Sequence, residues 1–373
     1  MHRAFKYRIY PTKVQAQQLD LWLGYCRELY NAAIKEREAW KHGVRIGFFE
    51  QSKELPVVKQ ERPEFANIYA QVLQQVIYRV DFAFQQFFGR VKNGEKPGYP
   101  RFKGRDRYNS LTWPQDIGFR LISPKKIRLG GIGCVRIRFH RPITGKPKML
   151  TLKRRAGKWY AIFSCADVPA KPYPEATAEI GIDMGLESFA TLSTGEKIEN
   201  PRWYRKTEER LSAAQRALSR KNRGSKRREK AKAYLARLYA KITNQRNDFQ
   251  HKLAHRIVSE NAMIVVEDLD VREMTHKSTS GLNKSKSITD AAWSRFLDIL
   301  GVKAEEAGRR FVKVPPRGTS STCSQCGLVR QKTLSERIHS CSCSLLLDRD
   351  VNAAINILRL GRSLQVNLRS PCH

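Results

Sequence analysis

The sequence predicts a mixed architecture: an α/β domain in the C-terminal half, preceded by a β-barrel and a helical module. Three observations predict it. Residues 12–95 carry apolar residues at helical spacing, residues 120–168 break into short alternating runs, and beyond residue 175 short β-branched runs are separated by long helical ones. A chain of 373 residues is long enough for two or three domains with real cores.

Residues 4–10 (AFKYRIY) alternate and end at Pro11, so they read as a strand, and Thr12 reads as the N-cap of a helix. That helix aligns Leu19, Trp22, Leu23, Cys26, Leu29, Tyr30 and Ala33. A second helix, over about 64–91, aligns Ile68, Val72, Leu73, Val76, Ile77, Val80 and Phe84 together with Phe87 and Phe88. Residues 11–95 are therefore expected to form the helical module. In 92–120, Gly and Pro end the helix, and Lys/Arg mix with Tyr, Phe and Trp. Basic side chains there can hold phosphates while aromatics stack on bases, with Arg101, Lys103 and Arg105 as candidates. The runs KIRLGGIGCVRIRFH, KMLTLKRRAG and KWYAIFSCAD read as antiparallel strands, which with the first strand would make the barrel, 1–10 and 96–170.

PAKPYP, 169–174, reads as a linker. After it, AEIGIDMGLESFATLSTGE gives two strands around a sharp turn, and 203–258 is helical with a turn at Gly224. AMIVVEDL and FVKVPP are short strands on either side of a helix at 290–308, and a last helix covers about 350–360.

Charge sets the class of partner. The chain has 70 Lys+Arg against 35 Asp+Glu, a net charge of +35, which calls for a polyanion. No stretch reaches transmembrane length, and the N-terminal MHRAFKYRIY has no apolar core of the signal-peptide kind, so a membrane is not expected as that partner. The tract at 216–232 concentrates this charge, and Arg220, Lys221, Arg223, Lys226 and Arg227 are expected to contact phosphates as a group.

Against this basic background a few acids stand out. In EIGIDMG the strand alternation places Ile180 and Ile182 on one face and Asp183 on the other. In MIVVEDL, Ile264 and Val266 share a face and Glu267 takes the opposite one. An acid within an apolar strand is costly unless something pairs with it, and two on separate strands suggest a shared cation. Asp350, at the start of the last helix, is either its N-cap or a third ligand. An Asp–Glu–Asp set with hard oxygen ligands suits a two-metal phosphodiester site holding Mg²⁺ or Mn²⁺.

Four of the eight cysteines cluster as Cys323, Cys326, Cys341 and Cys343, a C-x2-C and a C-x-C. In the reducing cytoplasm expected here, that spacing reads as a structural zinc ribbon rather than disulfides. The second pair is one residue shorter than the usual form and has Ser344 where Gly is expected, so His339 is an alternative to Cys341 as ligand.

GIDMG, VVEDL and TSSTCSQCG…CSCSLLLDRDVNAAINIL together resemble the TnpB family, transposon-encoded RNA-guided DNA endonucleases related to the type V CRISPR effectors. AFKYRIYPTKVQ and PRFKGRDRYNSLTWPQ resemble the family's N-terminal half, so the likeness spans nearly the whole chain. It implies a RuvC-type, RNase H-like nuclease domain at 175–316 and 345–362, interrupted by a target-nucleic-acid-binding zinc ribbon at 317–344. A wedge-like barrel, a helical recognition lobe at 11–95 and a tail at 363–373 would complete it. It implies a catalytic triad of Asp183, Glu267 and Asp350, with Asp350 rather than Asp348 because Val-Asn-Ala-Ala follows it. The implied partners are a guide RNA from the transposon end and double-stranded target DNA, with one protein on one RNA. The rival readings are a transposase, whose usual acid order is Asp, Asp, Glu; a guide-directed repressor, which should have lost an acid; and a zinc-ribbon chaperone, which has no use for strand acids.

Overall fold

The computed structural model describes residues 2–43, 45–170, 173–276, 282–331 and 336–369. Parts of the predicted linker and tail, 171–172 and 370–373, lie outside them, as does Cys372. The chain forms two compact units, residues 1–169 and 170–373.

The first unit begins with strand β1 (Arg3–Tyr10) and helix α1 (Lys13–Glu36). Thr12 caps α1 reciprocally: its hydroxyl accepts the Gln15 N–H, and the Gln15 side chain accepts the Thr12 N–H. Two short helices, α2 (Phe48–Lys53) and α3 (Leu55–Glu61), lead to α4 (Ala70–Lys92). The helix expected from residue 64 thus starts at Ala70, after a single 3-10 turn at Pro63–Phe65. Strands β2 (Ser110–Trp113), β3 (Phe119–Ser123), β4 (Lys126–Leu129), β5 (Gly133–Arg138), β6 (Lys146–Arg155) and β7 (Lys158–Ala166) join β1 in an antiparallel sheet ordered β2-β6-β7-β1-β5-β4-β3. Here the expectation of a barrel is corrected. β2 and β3 are the two edges, and among the described residues no ladder joins them, so the sheet is open. A 3-10 turn, Asp116–Gly118, stands between these two short strands. The inner face is covered by the helices, so Phe5, Ile9, Leu19, Trp22, Val76, Trp113, Leu150 and Phe163 share one buried cluster.

The second unit has a five-stranded mixed sheet: β8 (Ala178–Met184), β9 (Ser188–Leu192), β10 (Lys197–Glu199), β11 (Asn261–Glu267) and β12 (Arg310–Val314), in the order β10-β9-β8-β11-β12. The first three are antiparallel, and β11 runs parallel to both β8 and β12. The crossover from β10 to β11 is a helical hairpin, α5 (Glu208–Ser219) and α6 (Lys226–Glu260), turning at Gly224 with φ +84° as its sequence requires. Helices α7 (Val271–His276), α8 (Leu282–Ala291) and α9 (Trp293–Glu306) precede β12. A two-stranded ribbon, β13 (Ile338–Ser340) and β14 (Leu346–Asp348), then leads into α10 (Arg349–Arg369). This last helix does not stop near residue 360; it continues to Arg369.

Strand alternation sorts the two sheet faces as the sequence suggests. Ile180, Ile182, Ile264 and Val266 pack with Leu253, Ile257, Phe296 and Leu300 of α6 and α9. On the other face Met263, Val265 and Val314 pack with Ile357 of α10. That helix lies directly on β8. A Cβ at Gly181 would strike the backbone oxygen of Ala354 and come within 2.8 Å of the Leu358 amide nitrogen. Gly361 similarly abuts the Val265 side chain. The expected outcome for Gly181→Ala is a loss of about 1–3 kcal/mol of stability by denaturant titration, because backbone must move to admit the methyl. Gly89→Ala, at an exposed position of α4 with nothing within 4 Å, should instead gain about 0.5–1 kcal/mol.

Candidate nuclease centre and nucleic-acid surfaces

Three of the predicted site residues come together at one end of the second sheet. The parallel register pairs Ile182 with Val266, so Asp183 and Glu267 follow side by side on adjacent strands. Both sit on the face that α10 covers, because Gly181 lies two residues before Asp183. Burial is the main cause that lifts the Asp183 carboxyl to about 8, with repulsion from Glu267 and then Asp350 adding to it. Glu267 is buried and also raised by desolvation, against the pull of a 2.6 Å hydrogen bond donated by the buried Thr319 hydroxyl. Arg349 reaches Asp350 Oδ1 with its Nε at 3.3 Å and is the cation that draws the Asp183 carboxyl down.

The geometry also separates the two aspartates of DRD. Asp348 Oδ1 accepts the N–H groups of Asp350 and Val351 at 3.0 and 3.3 Å, so Asp348 is the N-cap of α10. Lys197 of β10 holds its other oxygen at 2.6 Å. Asp350, in the first turn, is left to face Asp183. Sequence alone left Asp350 open between cap and ligand; Asp348 takes the cap, so Asp350 is not the capping residue.

The four cysteines form the second centre. Their sulfurs all lie within 4.8 Å of one another, with Cys323–Cys343 at 3.7 Å and Cys326–Cys341 at 3.5 Å. Zn–S bonds of about 2.3 Å in a tetrahedron require S···S edges of about 3.8 Å, so the donor set fits structural zinc. Cys341 reaches the cluster, and a backbone N–H from Cys343 lowers its thiol to about 6. His339 is therefore not needed as a substitute; it is buried and stands opposite Leu347 in the β13–β14 ladder. Both knuckles turn through left-handed backbone, Gly327 at φ +79° and Ser344 at φ +67°. Serine thus takes at the second knuckle the left-handed conformation that glycine takes at the first.

The predicted basic residues divide. Arg220, Lys221, Arg223, Lys226 and Arg227 are all exposed around the α5–α6 turn. Arg228, which sequence reasoning passed over, turns inward instead and donates to the carbonyls of Leu218 and Lys221 at 2.9 and 2.7 Å, holding the hairpin closed. Arg101 and Arg105 are exposed, whereas Lys103 is half-buried, with its backbone clasped by Asn31 and its ammonium 5.6 Å from the Tyr30 ring. Of the aromatics expected to stack on bases, Tyr99 and Phe102 are exposed, but Tyr108, Trp113 and Phe119 are buried in the core and cannot. Sequence reasoning missed the outer face of the first sheet. Lys6, Arg8 and Tyr10 alternate along β1, Arg138 and Arg136 stand opposite Arg8 and Tyr10 on β5, and Tyr160 faces Arg8 on β7. Lys6 and Arg8 lie 4.4 and 5.3 Å from the Tyr160 ring. The signal was available in the period-two pattern K-x-R-x-Y, once its other face is known to be buried.

The fold is similar to those of two solved CRISPR-associated proteins. It superposes on the mini-RNA-guided endonuclease CRISPR-Cas_phi3 with a TM-score of 0.52 at 9% identity, covering 97% of this chain and 92% of that one. CasPhi-2 (Cas12j) bound to crRNA gives 0.50 at 10% identity, covering 97% and 98%. Sequence likeness is closer. A Streptomyces pristinaespiralis protein described as "Putative RNA-guided DNA endonuclease" is 37% identical over 96% of this chain and 89% of its own length. InsQ of Escherichia coli (strain K12), described in the same words, is 30% identical over 97% and 93%. The TnpB-like protein L79 of Acanthamoeba polyphaga mimivirus is 23% identical over 95% and 72%. Family models match residues 163–278 ("Probable transposase"), 293–357 ("Cas12f1-like, TNB domain") and 1–44 ("Helix-turn-helix domain"). The chain belongs to the TnpB/OrfB family. In the 1–44 match, β1 and the long α1 are the main elements.

Burial of Asp183 carries a stability cost with a defined sign. Between about 3.8, its ordinary value, and about 8, the folded chain holds a proton that the unfolded chain releases. Stability should therefore fall as pH rises through this window, with the penalty absent below it and complete above it. Asp183→Asn should remove that dependence. Urea melts of both proteins at about pH 5, 7 and 9, in magnesium-free buffer, should show the variant's advantage widening with pH; a constant difference would mean that the carboxyl is solvated.

Proposed function

We propose that this protein is an RNA-guided, divalent-metal-dependent DNA endonuclease that cuts target DNA beside a short flanking motif. The observation that carries the reading is the convergence of Asp183, Glu267 and Asp350, three acids from two strands and a helix, at one end of a sheet in a chain of net charge +35. A strand carboxylate that two neighbouring acids repel at a largely buried position is costly unless a cation offsets it, and an all-oxygen donor set suits Mg²⁺ or Mn²⁺. When bound, such ions supply activation of the attacking water and charge stabilisation of the leaving oxygen.

The chain's own part is positional. β8 and β11 present two ligands on neighbouring strands, α10 brings the third, and Asp348 fixes the first turn of α10. The order of the sheet, three antiparallel strands extended by two parallel ones, supports the RuvC-type, RNase H-like reading of 175–316 and 345–362. On this reading the cysteine ribbon, 317–344, binds target nucleic acid, the open sheet with the helices at 11–95 grips the guide RNA, and the protein acts as a monomer on one RNA. The exposed charge around the α5–α6 turn and the Lys6/Arg8/Tyr160 face supply phosphate contacts and stacking surfaces. Relatives described as RNA-guided DNA endonucleases support the same assignment.

The decisive assay is guided cleavage of a motif-bearing duplex, run beside a binding assay. Asp183→Ala, Glu267→Ala and Asp350→Ala should each lower cleavage by more than about 100-fold, since even outer-shell changes at metal sites cost about 10–100-fold. Guided binding should persist in all three. Asp348→Asn, which keeps a capping oxygen, should retain most activity, while Asp348→Ala should lose about 0.5–2 kcal/mol of stability. Wild-type protein that binds its guided target tightly, yet leaves it uncut with Mg²⁺ or Mn²⁺ supplied, would defeat the proposal in favour of a repressor.

A second measurement addresses the basic hairpin. Replacing Arg220, Lys221 and Arg223 with alanine should weaken binding equally across target sequences. The slope of log affinity against log salt should become shallower by about 0.7–0.9 for each phosphate the protein no longer neutralises. An unchanged slope would show that the hairpin faces solvent in the complex.

A further inference from the structure

The residues between β12 and the first cysteine pair connect the two centres. Thr319 and Cys323 are both buried, one shortly after the other in the chain. Thr319 donates its hydroxyl proton to Glu267 Oε1 at 2.6 Å. The backbone between them is held by two buried asparagines of α10. Asn356 Nδ2 donates to the carbonyls of Thr319 and Thr322 at 2.9 and 2.7 Å. Asn352 Nδ2 donates to the Thr322 carbonyl at 2.8 Å, and its Oδ1 accepts the Ser324 N–H at 2.9 Å. Both neighbours of Cys323 are thus hydrogen-bonded to the helix that carries Asp350, and the same strap ends on Glu267.

We propose that Thr319 is the positioning residue for Glu267, and that Asn352 and Asn356 tie it to the cysteine cluster, so that zinc occupancy sets the geometry of the acid site. A carboxylate on a strand end has free rotation about its outer bonds, and one fixed hydrogen bond to a single oxygen selects the rotamer that leaves the other oxygen for a cation. Loss of the metal frees the Cys323 loop, and the loop reaches Glu267 through a short stretch of hydrogen-bonded backbone. Cation affinity at the acid site then depends on a second metal that does not touch it.

The inference rests on the proposed metal role of the three acids, and its test separates the two claims. Mn²⁺ binding to the full-length protein, with zinc loaded, is measured by calorimetry for wild type, Asp183→Asn, Thr319→Val and Thr319→Ser, with zinc content and melting temperature recorded for each. Thr319→Val keeps the shape and removes the donor, so Mn²⁺ affinity should fall about 10-fold or more while zinc content stays full; Thr319→Ser should recover most of it. Equal Mn²⁺ affinity in wild type and Thr319→Val overturns the positioning role. Wild-type binding that Asp183→Asn does not weaken overturns the acid site itself, and this inference with it.

The zinc link has its own readout, independent of activity and of the valine variant. Hydrogen exchange in Cys323→Ser, compared with wild type, should lose protection at amides 319–324 and in the first two turns of α10. Loss confined to the cysteine ribbon, with the α10 amides unchanged, overturns the coupling.

Discussion

The second unit depends on the close approach of α10 to β8 at Gly181. With no side chain at that position, the helix backbone lies on the strand itself, and Leu358 and Ile357 can reach past it to β8 and β11. The direction of crossing matters as much as the distance. Ala354 and Leu358 lie over Gly181, so one helical turn earlier Asp350 lies towards Asp183, two residues further along the strand. A rise of about 6 Å over four helical residues matches about 6.6 Å over two strand residues. One missing Cβ therefore sets the meeting of two carboxylates, and the parallel register of β8 and β11 adds the third.

The same helix organises the loop that precedes it. Its polar interior positions, Asn352 and Asn356, would be costly in a core if they lacked partners. They find them in the backbone of 319–324, a segment outside the named helices and strands whose Thr319 and Thr322 carbonyls accept from them and whose Ser324 N–H donates to Asn352. The exchange satisfies both sides, and it explains why buried amides occur on a helix whose other buried side chains include Val351, Ala353, Ala354 and Ile357. The cysteine cluster then closes the loop from its far end. One short stretch of chain thus carries a ligand of the sulfur cluster, Cys323, and touches a strand carboxylate, Glu267.

Charge is distributed in keeping with this. Asp183, Glu267 and Asp350 are drawn together by backbone packing and register, while many lysines and arginines lie exposed around the α5–α6 turn and along one sheet face. Some basic residues have structural duties and are lost to any partner: Arg228 closes the α5–α6 hairpin, and Arg37, fully buried, binds Gln51 and Asp81 within the helices of the first unit. Net charge alone overcounts the contact surface for this reason.

Much of this was legible in the chain. Period-two and period-3.6 patterns located the strands at 178–184 and 261–267 and the long helices, and alternation alone put Asp183 and Glu267 opposite the isoleucines. Cysteine spacing identified the ribbon, because ligand geometry constrains spacing directly. What sequence could not decide was set by contacts between distant residues. Nothing in the local pattern tells that the sheet of the first unit stays open, because closure depends on whether two edge strands meet. Nor could it tell whether Asp350 caps the last helix, until β14 ended at Asp348 and the Asp348 carboxylate took the cap. Thr319 was one hydroxyl in a polar loop, and only the fold places it 2.6 Å from a carboxylate fifty-two residues away. Local pattern determines which face a residue occupies; only the packed chain determines what it meets there.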